Sequence, residues 1–440
     1  MKKISLNNKW CQAALAFLCC AWMGIFTAQA YDVLADGIAY NINPDSSSLT
    51  VTYTQLPGNY EGLTSAIVPA TVTIGEKNYQ VTALGDYAFY GCESLTTVVL
   101  PESISKIGDR ALAQCAALDS ISVDENNFIF DSRGGCNAVI ESNWGRLMAG
   151  CHKTTIANGV YEICAYAFAG SNRLTAIDIP YWVEKIGYEA FAGTALETVE
   201  LPAYLLELGY RAFAQCPNLA QITVDERNEK YDSRDSCNAV VETSTGTLVA
   251  GCKATAIPST VEKIGYEAFS GCAGLTELVI PDSVNTIGHY AFRDAPDLQV
   301  VDIPTTANTF GDRAFGGCTG LKKVYARLRT PETGSYYALS TFQGVPVTTC
   351  LLLVDADLIE TYRVTAPWKD FLMIQDMDHD YIIGDVTGDG KVDVADVNAI
   401  INIILKNKTQ DDYPGIADID GNGIVDVSDV NMVINIILKA

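Results

Sequence analysis

An eighteen-residue run, Ile264–Pro281 (IGYEAFSGCAGLTELVIP), limits what this chain can fold into, because versions of it recur along the sequence. The glycine of its "IG" pair falls at Gly85, Gly108, Gly187, Gly209, Gly265, Gly288 and Gly311, with Cys164 once in the same slot. Successive steps are 23, 56, 23, 22, 56, 23 and 23 residues, so each long step is one unit plus 33 extra residues. A fixed period of this length means a protein of stacked repeats. One unit has too few apolar residues to bury them alone; stacking places like on like and makes one continuous core. The aromatic slot holds Phe89, Leu112, Phe168, Phe191, Phe213, Phe269, Phe292 and Phe315, and Phe269 is expected to be core. The segment L-x-x-V-x-L-P alternates like one face of a strand, and its proline, which cannot donate to a ladder, ends it.

The pattern IGxxAFxxCxxLxxVxLP resembles the BspA-type (treponema-type) leucine-rich repeat of bacterial surface proteins over residues 81–326, with Leu112 for Phe and Cys164 for Gly as departures. The resemblance implies a mainly β solenoid and an association with adhesion to host surfaces. Residues 31–80 alternate apolar and polar between Gly and Pro and read as an N-terminal β cap. Residues 327–380 lose the repeat and read as a C-terminal cap and joint, with Cys350–Val354 as a last strand.

Residues 1–30 read as a signal peptide cleaved after Ala30: Lys2, Lys3 and Lys9 precede an apolar run and the small-x-small Ala28-Gln29-Ala30. No later segment is apolar enough for a membrane span, so the chain is expected to be secreted, extracellular or on the cell surface. Its formal net charge of −24 argues against nucleic acid, which asks for a basic surface, and favours solubility.

The two insertions, near 125–157 and 226–258, are copies 101 residues apart: FDSRGGCNAVIESNWGRLMAGC and YDSRDSCNAVVETSTGTLVAGC. Each reads as a β-hairpin with a four-residue turn containing Gly145 or Gly246. Pairing Glu141 with Arg146 would put Cys136 opposite Cys151, and the same register would face Cys237 with Cys252. In an exported protein such pairs are disulfide candidates; free thiols remain the alternative. Asp131-Ser132-Arg133 and Asp232-Ser233-Arg234 read as turns held by Asx and Arg hydrogen bonds rather than as catalytic groups.

Two acidic loops close the chain. The first runs Asp385, Thr387, Asp389, Lys391, Asp393, Asp396 at loop positions 1, 3, 5, 7, 9 and 12; the second runs Asp418, Asp420, Asn422, Ile424, Asp426, Asp429. Oxygen donors at these spacings, a backbone carbonyl at position 7 and glycine at 6 (Gly390, Gly423) are what an EF-hand-like calcium loop needs. Each loop is followed by an amphipathic helical pattern: Val394, Val397, Ile400, Ile401, Ile404, Leu405, and the same positions 33 residues on. The paired loop–helix with Asp at position 12 resembles a type I dockerin over residues 384–440. The resemblance implies a small all-α domain binding two Ca2+ ions and docking to a cohesin partner through loop positions 10 and 11. Those are Val394-Ala395 and Val427-Ser428 here, where cellulosomal dockerins often carry hydroxyls. On the helical pattern, Ile401, Ile404, Ile434 and Ile437 are expected to join the two halves, leaving Ile403 and Ile436 for partner contact.

Residues after "IG" are rich in Tyr and Arg: Tyr87, Arg110, Tyr166, Tyr188, Tyr210, Arg211, Tyr266, Tyr290 and Arg313. Both types are favoured in binding hot spots. There is no nucleophile elbow, P-loop or zinc motif, so no catalytic residue is assigned. The expected function is extracellular binding: a repeat rod presenting a face to a host or glycan ligand, and a dockerin-like module holding a protein partner. The rival readings are a secreted carbohydrate-active enzyme and a purely structural envelope protein.

Overall fold

A computed structural model describes residues 31–56, 60–331, 340–377, 384–389, 391–413, 417–419 and 424–438. The expected signal peptide, residues 1–30, lies outside the described residues. Strands predominate, and the described α-helices are three: α1 (Ile359–Val364), α2 (Val394–Ile404) and α3 (Val427–Ile437).

Every repeat has a short strand running up to the "IG" slot, and every one except that of Cys164 has a longer strand from the L-x-x-V-x-L segment; these pair in parallel between neighbouring repeats, the longer ones in separate ladders. The short strands run Arg146–Gly150, Glu162–Ile163, Lys185–Ile186, Glu207–Leu208 in one ladder. A second ladder runs Thr247–Gly251, Lys263–Ile264, Thr286–Ile287, Thr309–Phe310. The longer strands pair with partners 23 residues on, as in Val98↔Ile121, Val199↔Ile222 and Val301↔Val324. Parallel pairing in register puts identical slots in columns, so the phenylalanines stack. Phe168 and Phe191 have centroids 5.1 Å apart and planes 7° from parallel. Phe269, Phe292 and Phe315 continue the column at 5.0 and 4.9 Å.

The column extends beyond the expected repeats at both ends. Phe342 stacks on Phe315 at 5.4 Å, so Thr341-Phe342 fills the Ala-Phe slot of one more turn. Tyr60 sits against Phe89 at 5.4 Å. The strand expected at Cys350–Val354 is present as Leu351–Val354, and a further strand, Met373–Asp376, pairs beyond it. Trp368, fully buried, meets Phe342 and Tyr362 there. At the other end the strands Val33–Ala35, Ile38–Ile42 and Ser48–Thr52 pair antiparallel. They join the array through Lys77–Leu84, which pairs in parallel with Lys106–Ile107.

The "IG" glycine has a steric cause. A Cβ at Gly187 would lie 2.4 Å from the backbone nitrogen of Ala165, and one at Gly311 would lie 2.2 Å from that of His289. At these two glycines adjacent coils touch backbone to backbone, which leaves no room for a Cβ.

The insertions are hairpins, as expected, with Glu141 opposite Arg146 and Glu242 opposite Thr247. Their outer strands then act as rungs: Arg146 and Leu147 pair in parallel with Glu162 and Ile163. The repeats on either side still meet directly at the aromatic corner, where Gln114 N donates to Ala169 O at 2.7 Å and Gln215 N to Gly271 O at 2.7 Å. The cysteine expectation needs correction. A bulge between Val139 and Ile140 shifts the register by one, so Ala138 faces Gly150 and Val139 faces Ala149. Cys136 and Cys151 therefore drop out of facing register and pack in different cores. The second copy repeats the bulge, and Cys237 and Cys252 likewise separate. All four are buried free thiols.

Candidate functional site

The residue two places after the "IG" slot is left-handed in every one of these repeats: Tyr87, Arg110, Tyr166, Glu189, Arg211, Glu267, Tyr290 and Arg313 all have positive φ, for example 61° at Tyr166 and 57° at Arg211. Such a φ costs a non-glycine residue about 1–2 kcal/mol. It turns the chain so that the following Ala and Phe point inward while this position stays at the outer edge. The Tyr and Arg side chains read from the sequence thus become neighbours. The Arg110 guanidinium lies 4.1 Å from the Tyr166 ring centre and 5.6 Å from that of Tyr87, and donates to both hydroxyls. Tyr166 meets Tyr188 edge to face at 5.6 Å. Tyr210, Tyr266 and Tyr290 continue at 4.6 and 5.8 Å. Arg211 is ion-paired to Glu189 at 2.6 Å, and Tyr290 donates to Asp312 at 2.7 Å. Tyr210 and Tyr266 are exposed. The result is a stripe of rings and guanidiniums along one edge of the array.

The duplicated Asp-Ser-Arg segments are structural, as expected. Arg133 clamps the Asp131 carboxylate at 2.8 and 2.6 Å, and Ser142 donates to it at 2.6 Å. Partial burial alone would raise Asp131; the Arg133 and Ser142 hydrogen bonds outweigh it and hold the carboxyl below the usual range. Arg234 and Thr243 do the same for Asp232.

The acidic loops are organised around carboxylates that accept backbone N–H groups. Asp396, almost fully buried, accepts from Thr387 N at 2.9 Å, Thr387 Oγ1 at 3.0 Å and Asp393 N at 2.8 Å. Asp385 accepts from Asp389 N at 3.0 Å. Asp393 caps α2 by accepting from Ala395 N at 2.7 Å, so positions 9 and 12 form a capping box. The second loop repeats this: Asp429 accepts from Ile419 N and Asp426 N, and Asp426 caps α3 through Ser428 N. Asp420, Asn422, Gly390 and Gly423 lie outside the described residues. Among the described residues no three carboxylate, thiol or imidazole groups gather around one point. The donor set is nonetheless all oxygen, the chemistry a hard cation takes.

The two helices share a core of Val386, Ala399, Ile400, Ala417, Ile419 and Val433, with Ile403, Ile404 and Ile437 packed against it. This corrects the expected faces. Ile403 is half-buried on the core and Ile436 is half-buried, with its Cδ1 close to Gly384. Ile401 and Ile434 are each 37% exposed, outside the interior expected for them. Both helices are apolar over most of their circumference, so periodicity alone left the inward direction undetermined. Val394 and Val427 are 65% and 62% exposed, and Ala395 and Ser428 are exposed too. With Ile401 and Leu405, or Ile434 and Leu438, each valine forms an outward apolar stripe.

Comparison with known proteins places these elements. The family model described as "BspA type Leucine rich repeat region" matches in six copies, over residues 70–133, 148–239 and 250–349. The chain belongs to the BspA-type leucine-rich repeat family. It also carries a dockerin type I domain, matched over residues 383–438. Both families are non-catalytic interaction modules, and dockerin type I domains in general bind calcium. No curated protein matches the chain. Among solved structures it is similar to a leucine-rich cell surface protein of Faecalibacterium prausnitzii, at 24% identity over 71% of this chain and 93% of that one, with TM-score 0.41. It is also similar to a leucine-rich repeat protein of Eubacterium ventriosum, at 20% identity over 73% and 78%, with TM-score 0.41. The pneumococcal vaccine antigen PcpA matches at 18% identity over 78% and 96%, with TM-score 0.43.

Proposed function

We propose that the chain is an exported binding protein. Residues 1–30 direct export, residues 31–80 and 327–380 cap a solenoid of repeats over 81–326, and residues 384–440 dock it to a cohesin-like protein. The repeat stripe faces a host or glycan ligand, and rigidity serves it, since side chains fixed by stacking lose little entropy on binding. The observation that carries this reading is the matching pair of acidic loops, each joined by a capping box to a helix with an outward apolar stripe.

The residues that would hold two Ca2+ ions are Asp385, Thr387, Asp389, Asp393 and Asp396, with Lys391 through its carbonyl, and Asp418, Asp420, Asn422, Asp426 and Asp429, with Ile424 through its carbonyl. Bound calcium would cancel the repulsion among like charges in each loop, making binding free energy part of folding free energy. Val394-Ala395 and Val427-Ser428 at the starts of the stripes are the proposed partner contacts. The test is binding of the full chain to a panel of immobilised cohesin modules, with calcium and with chelator. Capture in calcium alone supports docking; no capture by any cohesin removes the docking claim.

A further inference from the structure

The outward positions of the array's longer strands are mostly polar until the last two rungs. Along the C-terminal ladder they form two columns. One runs Glu277, Val300, Lys323, Leu351, Met373, and the other Val279, Asp302, Tyr325, Leu353, Gln375. Earlier rungs carry Thr198 and Glu200, then Gln221 and Thr223, at these positions. Successive side chains of a strand point to opposite faces, so a rung buried on both faces has something lying on it. All of Leu351–Val354 is buried, and so are Met373, Ile374 and Gln375. Val279, in the same column as Leu353, is 60% exposed.

The cover comes from the far end of the chain. Leu351, Leu353 and Met373 form an apolar cluster apart from the array core, and Tyr325, Met377 and Met432 pack against it. Met432 belongs to α3, and it also packs on the core that the two terminal helices share. One side chain therefore touches both modules.

The duplicated helices supply a comparison. Helix α2 reads VADVNAIINII and α3 reads VSDVNMVINII. Ala395 becomes Ser428 and Ile400 becomes Val433, changes of an atom each. Ala399 becomes Met432, which adds a long thioether chain. Ala399 is 2% exposed within its own module, whereas Met432 reaches out of it to the array. Methionine is unbranched and fills irregular gaps between apolar surfaces, and a contiguous apolar face marks a place where something binds.

We infer that α3 is an array-binding element: Met432 seats it on the outward face of Leu351, Leu353 and Met373, so the module is fixed on the last two rungs rather than hung from a tether. The stripe of Val427, Ile434 and Leu438 stays exposed beside the dock, so docking on the array and capture of a partner use different faces of α3. The two halves of the module are unequal as a result, because α2 has no long side chain at this position. The dock does not rest on the cohesin reading and stands even if no cohesin binds.

The test is hydroxyl-radical footprinting of the full chain in calcium, read at each residue by mass spectrometry and normalised to the reactivity of the free amino acid. Leu351, Leu353 and Met373 should label severalfold more slowly than Val279, the exposed reference in the same ladder. Met432→Asp should raise the labelling of all three severalfold and leave Val279 unchanged. Met432→Ala puts into α3 the residue that α2 carries at this place, and should do the same with helix content kept by circular dichroism. From the other side, Leu353→Lys, on an outward position of the array, should raise the labelling of Met432. Wild-type labelling of the three residues at the rate of Val279 overturns the inference. So does protection kept in Met432→Ala, or unchanged Met432 labelling in Leu353→Lys. Protection that fades on dilution assigns the cover to a second copy of the chain and overturns it as well.

Discussion

The aromatic slot shows how one residue type fixes a repeat. Phe269 is buried, stacks on Phe292 at 5.0 Å, and lies over Gly251, where a Cβ would sit 2.0 Å from its ring. Phe269→Ala should lower stability by about 3–5 kcal/mol, the usual cost of truncating a buried phenylalanine. Denaturant unfolding of the full chain measures this; a variant as stable as wild type contradicts the stacking. The slot was legible in the sequence wherever Phe recurred at 22–23 residues. It was not legible at Phe342, because that turn lacks the "IG" pair and follows a longer connection, so its membership shows only in the ring stack.

Among the elements, the insertion hairpins carry a pH-sensitive clamp. Asp131 and Asp232 are held below the usual carboxylate range by arginine and hydroxyl hydrogen bonds. A depressed carboxylate contributes stability that is fully present above its unfolded value of about 3.9 and is lost as pH falls through the lower folded value. The Asp131→Asn, Asp232→Asn double variant should be less stable than wild type at neutral pH. The gap should narrow below about pH 4, as read from melting temperatures across pH. The hairpins' turn register was legible from their alternation, with Glu141 opposite Arg146; the bulge one pair later was not, because alternation on both sides of it reads the same. That single shift separates the cysteines. The helices divide in the same way. Their places directly after the acidic loops follow from the spacing, whereas the caps at Asp393 and Asp426 and the inward face show only in the fold. Val394→Asp with Val427→Asp should leave helix content unchanged, since both side chains are exposed, and should lower cohesin capture about tenfold or more if these positions are anchors. Unchanged capture would move the docking surface elsewhere.

At the scale of the whole molecule, two modules with different sources of stability share one chain. The array is held by stacked apolar columns and backbone ladders, so it should be indifferent to metal. The terminal loops carry acidic side chains at sequence spacings that a hard cation suits, and helices of 11 residues are marginal alone. Calcium titrated by calorimetry into the chelator-treated full chain therefore tests the central claim most directly. The expected result is saturable heat with two ions per chain, lost in Asp385→Asn with Asp418→Asn. No saturable heat, or the same stoichiometry in that double variant, would contradict it.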